Sequence, residues 1–266
     1  MKDGVLYMRL PKTPPYKEKP ENDRRKKLME DLTNVHNELL SMMKDVHKFC
    51  VAEGIEYSLA GGSLLGAVRH KGFIPWDDDM DIVMSRENYE KFRAAFPKFE
   101  GYRIEREIWV PRIRRGDGRF SIDVFIFDNV PKNSFKRKYK VFRLKLLQGM
   151  MKKKPDLKKY GFGGKILILG SRFLGLFFTD AFKYRRYCKI SASGNNAPSD
   201  YVCAYNDLYK LLTVNYPKSA TEHVALMPFE DTEFYCMTGY DDYLTLQYGD
   251  YMTPPPESER VPMHGV

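Results

Sequence analysis

Apolar positions along this chain follow two different rhythms. Leu28, Leu32, Val35, Leu39, Met42, Val46 and Phe49 recur at alternating steps of four and three, which traces one face of a helix about six turns long that ends near Gly54. The pattern stops after about three heptads, so it predicts a helix packed on a sheet and not a coiled coil. Ile55, Tyr57 and Leu59 then alternate with polar residues, predicting a strand over 55–60 that feeds a Gly61-Gly62 turn. Ser63 is placed to cap or open a helix over 64–69. After Pro75 the pattern predicts a second strand over about 79–84 and a helix over 86–96, and 102–107 reads as another strand. Segments 109–115 and 119–129 flank Gly116-Asp117-Gly118, a hairpin signal. Beyond Pro131 the chain turns helical and basic. The stretch 161–178 is apolar, but Lys165 and Arg172 interrupt it and Gly161, Gly163, Gly164, Gly170 and Gly175 weaken it as a helix. By length and charge it is a poor transmembrane candidate.

Four aspartates crowd into five positions, Asp77 to Asp81, beside Trp76, Met80 and Ile82. Like charges this close repel unless a cation offsets them, and a divalent metal does so well. Side chains alternate across a strand, so Asp79 and Asp81 project to one face while Met80 and Ile82 point into the core. Asp123 interrupts the apolar run of the later strand and is the third carboxylate if the two strands are neighbours. Asp77 shares the parity of Asp79 and Asp81 but falls before the strand, so it ranks below them. Mg²⁺ or Mn²⁺ is the expected cofactor, held by Asp79, Asp81 and Asp123. Gly61, Gly62 and Ser63 supply a phosphate side, because glycines admit a close backbone approach and a helix N-terminus favours an anion. Arg69, His70 and Lys71 lie between the two motifs and are candidates for phosphate neutralisation, and Trp76 and Asp77 complete the set of expected substrate contacts.

The net charge of +9 sharpens one region only. From Ser134 to Tyr160 there are eleven Lys or Arg against one acid, a local +10, so the rest of the chain carries −1. This segment, with the apolar stretch behind it, reads as a solvated helix face or as a patch for an anionic membrane surface over 134–178. Nucleic acid is disfavoured, because stacking aromatics are few and no nucleic-acid motif is present. The four cysteines (Cys50, Cys188, Cys203, Cys236) are scattered, as expected of free thiols in a reducing compartment. Residues 1–20 contain no apolar core of a secretory signal. The expected location is cytoplasmic, at most peripheral to the inner membrane face.

The block from Gly61 to Ile82, G-G-S-L-L-G-A-V-R-H-K-G-F-I-P-W-D-D-D-M-D-I, resembles the signature of the LicD family, related to fukutin. The resemblance extends to Ser121-Ile122-Asp123-Val124-Phe125 and to the tail around Tyr243-Leu244, Tyr248-Gly249-Asp250-Tyr251-Met252 and Pro255. It implies an α+β fold with a nucleotidyltransferase-like mixed sheet flanked by helices, and a metal-binding Asp-x-Asp at Asp79 and Asp81 with Asp123 as the third carboxylate. The expected organisation is an N-terminal extension (1–23), a catalytic core (24–131), a basic and apolar helical segment (132–200) and a C-terminal part completing the catalytic domain (201–266). The implied activity is transfer of a phospho-alcohol, phosphocholine first, from a CDP-linked donor such as CDP-choline to a hydroxyl of a cell-surface glycan or lipid-linked precursor, with release of CMP. Two alternatives stay open: a nucleotidyltransferase attacking the α-phosphate of an NTP on the same fold, and a non-catalytic protein binding membrane or nucleic acid through the basic segment.

Overall fold

The computed structural model describes residues 21–152 and 161–262, and side chains from residue 31 onward within those ranges. The long helix α1 (Glu21–Ala52) carries the stripe read from the sequence. Leu32, Val35, Leu39, Met42 and Val46 are buried and Phe49 is half-buried against the same core, while the Leu28 side chain lies outside the described residues.

The central sheet runs in the order β1 (Ser58–Leu59), β2 (Met80–Ser85), β5 (Ser121–Asn129), β4 (Val110–Arg115), β3 (Tyr102–Glu107). It is mixed. β2 and β5 are parallel, whereas β1–β2, β3–β4 and β4–β5 are antiparallel. The second edge of β5 is shared: β4 pairs with its first three residues and β6 (Tyr201–Ala204) with its last three, followed by β7 (Tyr216–Pro217). The expected mixed sheet flanked by helices is thus present. The hairpin around Gly116-Asp117-Gly118 forms as read, while the strand expected over 55–60 shrinks to two residues, since β1 pairs with β2 only at Ser58 and Leu59.

Two cores hold the chain together. The larger joins α1, α2 (Gly61–His70), α3 (Arg86–Ala95), β2, β5, the hairpin of β8 (Val224–Phe229) with β9 (Thr232–Met237), and α8 (Tyr240–Tyr248). A short α7 (Lys218–Thr221) links β7 to that hairpin and packs on α8. The second core is built from α4 (Ser134–Met151), α6 (Asp180–Ser191) and β6, with Trp109, Leu144, Tyr187, Cys203 and Leu212 at its centre. Between α4 and α6 lies α5 (Phe162–Gly175). The glycines expected to weaken this stretch do not prevent its helix. Gly175 allows close packing instead, because a β-carbon there would stand 2.8 Å from the Met150 carbonyl oxygen on α4. Of the basic run, Lys153, Lys154, Lys158 and Lys159 lie outside the described residues.

Candidate active site

The parallel pairing of β2 with β5 sets Asp81 directly opposite Asp123. On either side of Asp81, Met80 and Ile82 are fully buried, so the strand presents its carboxylate from a rigid element. Asp79 immediately precedes the strand. The start of α2 is clamped to the same place: Ala60 N–H donates to the Asp81 carbonyl (3.0 Å), and Asp81 N–H donates to the Ser63 hydroxyl (2.9 Å).

That second bond corrects the expected role of Ser63. The helix begins at Gly61, three residues earlier than its pattern suggests, with Ala60 as its N-cap. Ser63 is therefore buried inside the first turn and holds β2 instead of capping. The glycines have a steric reason. Gly61 sits at φ 51°, and a β-carbon on it would stand 2.9 Å from Asp81 Oδ2. A β-carbon on Gly62 would collide with the Asp77 carboxylate. Two carboxylates thus press against the N-terminus of a ten-residue helix, where the dipole and exposed N–H groups favour negative charge. Gly61 N–H itself is taken by the Tyr243 hydroxyl of α8 (3.3 Å).

The electrostatics are those of a crowded acidic cluster. Burial raises the pKa of Asp81 well above the carboxylate range, reinforced by Asp79, Asp123, Asp77 and Asp207 in that order. Asp77 is raised by burial and then by Asp79 and Asp78, and its carboxyl hydrogen-bonds that of Asp79. Asp77 therefore belongs inside the cluster, where the sequence reading ranked it below its neighbours. Asp123 is paired with Arg112, its register partner on β4, at 2.6 Å (Nε to Oδ1), and Arg112 also pairs with Glu107. The Tyr248 phenol is held neutral by burial, with Tyr243, Asp81 and Asp77 adding to the effect.

Asp207 was not legible in the sequence. It follows β6, and burial, with a contribution from Asp123, pushes its carboxyl up to about 7. The preceding Asn206 bridges β5, accepting from Ile126 N–H and donating to the Val124 carbonyl, both at 2.9 Å. The only signal at sequence level was an Asn-Asp pair beside a buried apolar strand.

The other expected contacts divide. Arg69 donates to the Tyr251 carbonyl (2.7 Å) and so ties α2 to the C-terminal tail. His70 meets Trp76 edge to face at 6.2 Å, and Arg260 lies 5.2 Å over the Trp76 ring. Lys71 is exposed, in a left-handed conformation at the C-cap of α2, and its carbonyl accepts from Glu230 N–H. These bonds show what Arg69 and Lys71 do for the fold; neither is seen paired with the acidic cluster.

Like charges at this density are tolerated by protonation or by a bound cation. Every donor is a carboxylate oxygen, a hard ligand of the kind Mg²⁺ and Mn²⁺ prefer. The residues present fit such an ion chemically. Among the described residues no three of these side chains converge at ligand spacing.

A glycine-led helix start facing carboxylates on adjacent parallel strands is the equipment of an enzyme that handles phosphate. Residues 54–153 match the family model described as LicD/FKTN/FKRP, nucleotidyltransferase domain. The chain is 33% identical over 250 residues to the lipopolysaccharide cholinephosphotransferase LicD of Haemophilus influenzae, covering 85% of this chain and 92% of that protein. It is also 51% identical over 47 residues to the ribitol 5-phosphate transferase FKRP of Homo sapiens, a match that spans 16% of this chain and 10% of that one. The chain belongs to the LicD family and is a phosphotransferase, which sets aside the non-catalytic alternative.

Proposed function

We propose that this protein transfers a phospho-alcohol, phosphocholine in the first instance, from a CDP-linked donor to a hydroxyl of a cell-surface glycan or its lipid-linked precursor, and releases CMP. The observation that carries the reading is the juxtaposition of Asp81 and Asp123 on adjacent strands, in a chain similar over nearly its whole length to a cholinephosphotransferase. Asp79, Asp81 and Asp123 would hold Mg²⁺ or Mn²⁺, with Asp77 and Asp207 alongside. When bound, the ion supplies charge neutralisation at the donor diphosphate.

The remaining work falls to the chain's own residues. The acceptor hydroxyl oxygen attacks the β-phosphorus of the donor. A new P–O bond forms as the bond to the bridging oxygen breaks, CMP departs, and the hydroxyl proton passes to the Asp123 carboxylate. Asp123 is suited to this because Arg112 orients it from β4. The N-terminus of α2 offers its dipole to phosphate oxygens, and Tyr248, kept neutral beside Asp81 and Asp77, is a hydrogen-bond donor to the same anion. Catalysis then rests on positioning and charge, with no covalent enzyme intermediate. A CDP-linked donor drawn from the pool in which it is made would put the reaction in the cytoplasm.

The test is a panel of CDP-choline, CDP-ethanolamine and CDP-ribitol incubated with the organism's glycan lipids and assayed for CMP. CDP-choline should give acceptor-dependent CMP at least tenfold faster than the others. Release of pyrophosphate from CTP, with the CDP-alcohols untouched, would refute the reading in favour of nucleotidyl transfer.

A further inference from the structure

The helix α5 is built inside out. The stripe that α5 buries against α4 consists of Ile168, Ser171 and Gly175, mostly small residues. A β-carbon on Gly149 of α4 would collide with Ser171 Oγ, and one on Gly175 would touch the Met150 backbone. The large side chains face away. Phe162 (83% exposed), Ile166, Leu167, Leu169, Phe173 and Leu174 lie on the outer side. At 3.6 residues per turn they occupy an arc of about 160° opposite the buried stripe, with Lys165 and Arg172 together on one shoulder. Small residues inside and large apolar residues outside is the packing of helices whose surroundings are lipid.

The far end is a built corner. After Gly175 the chain turns through 117° into α6. Thr179 caps α6 by accepting from Phe182 N–H, and Lys183 reaches back to the Gly175 carbonyl at the end of α5. At the apex stand Leu176 (80% exposed), Phe177 (71%) and Phe178. Among the described residues no single helix is long and apolar enough to cross a membrane. Alongside, α4 presents Lys136, Arg137, Lys138, Arg143 and Lys145 and contains no acid, with Phe135, Tyr139 and Phe142 exposed among them.

We propose that α5 and the α5–α6 corner insert as a wedge into one leaflet of an anionic bilayer, with Leu176, Phe177 and Phe178 deepest and the α4 cations on the headgroups. Charge complementarity selects this occupant. A second copy seated on the same ridge would bring two acid-free basic helices together, and a convex arc of about 160° is wider than the roughly 100° stripe one partner covers. An anionic surface instead attracts each cation, worth about fivefold in partitioning per basic residue. Apolar side chains at the headgroup boundary supply the rest. The inference is independent of which phospho-alcohol is transferred. The helix on which α5 packs reaches the acidic cluster, since Gln148 of α4 donates to the Asp207 carbonyl (2.8 Å).

The test uses the full chain with vesicles of phosphatidylglycerol and phosphatidylethanolamine, or of phosphatidylcholine alone. Co-sedimentation should favour the anionic vesicles at least tenfold, and the double variant Phe173→Glu, Phe177→Glu should lose at least tenfold while its melting curve stays unchanged. The single variant Phe177→Trp should shift its emission to the blue on binding and be quenched by brominated acyl chains. Binding that is indifferent to both the double variant and lipid charge would overturn the proposal. So would unquenched emission, or a concentration-dependent dimer that the double variant dissolves.

Discussion

If the acidic cluster is under electrostatic strain without a cation, then Asp81→Asn should make the protein more stable and inactive at once. The amide keeps the backbone bond to Ser63 and nearly the same volume, so the change isolates charge. Asp123 stands opposite on the adjacent strand; at the general inter-strand spacing of about 5 Å and an effective dielectric of about 20, one such carboxylate repels Asp81 by about 3 kcal/mol. The α2 N-terminus offsets up to about 2 kcal/mol of that, and partial protonation relieves more. A net gain of about 1–2 kcal/mol remains, or roughly 2–6 °C in Tm for a chain of this size. Because the folded-state pKa of Asp81 is raised, the parent loses stability as pH climbs from the ordinary carboxylate value towards the raised one. The advantage of the variant should therefore be small at pH 4.5 and grow as pH rises to 8. Scanning calorimetry in EDTA across that range reads it directly. Adding Mg²⁺ should raise the parent's Tm at pH 8 and leave the variant's nearly unmoved. A variant less stable than the parent at pH 8 in EDTA would refute the reasoning.

Other sites give sharper structural readouts. Arg86 grips the buried Asp128 through two bonds of 2.8 and 2.7 Å, so Arg86→Met should cost about 3–5 kcal/mol in urea unfolding by stranding that charge; a loss under 1 kcal/mol would contradict the pairing. Lys140 is buried over the Tyr205 ring, donates to the Ser193 carbonyl, and is lowered to about 8 by burial. A lysine lowered from 10.5 to about 8 costs stability that builds as pH falls between those two values and is full below them, so Lys140→Met should gain about 1–2 kcal/mol at pH 7, with the gain fading as pH rises towards 10.5 and beyond. Ser63→Ala should lose about 1–3 kcal/mol, because the partly buried Asp81 N–H is left without its acceptor, and equal urea midpoints would count against the clamp. Gly62→Ala should fold with a Tm within a few degrees of the parent and reduce transfer at least tenfold, since its methyl group would displace the Asp77 carboxylate.

What the sequence made legible follows from where its signals are local. The α1 stripe, the β2 and β5 alternation and the glycine turn at 116–118 are short-range patterns, and each appears where read. The pairing of Asp81 with Asp123 was conditional on neighbouring strands, and the parallel register supplies that condition. The start of α2 was misplaced because Gly61 and Gly62 look like a turn, whereas their missing β-carbons serve to admit two carboxylates at a helix end. The β8–β9 hairpin went unread, because β8 is apolar at every position although most of it is exposed or half-exposed, and so carries no alternation. Asp207 and the hydroxyls of Tyr243 and Tyr248 reach the site from over eighty positions further along the chain. Such closure is a tertiary event with no local signature. In α5, glycine content argued against a helix that close packing on α4 nonetheless stabilises.

The central claim concerns which phosphorus is attacked. CDP-choline labelled with ¹⁴C in choline and with ³H in cytidine, incubated with Mg²⁺ and the organism's lipid-linked glycan, distinguishes the possibilities in one reaction. The account predicts ¹⁴C in the glycan and an equal amount of tritiated CMP in solution, both lost in Asp79→Asn and Asp81→Asn. Tritium in the glycan with free phosphocholine released, or transfer that survives both substitutions, would contradict it.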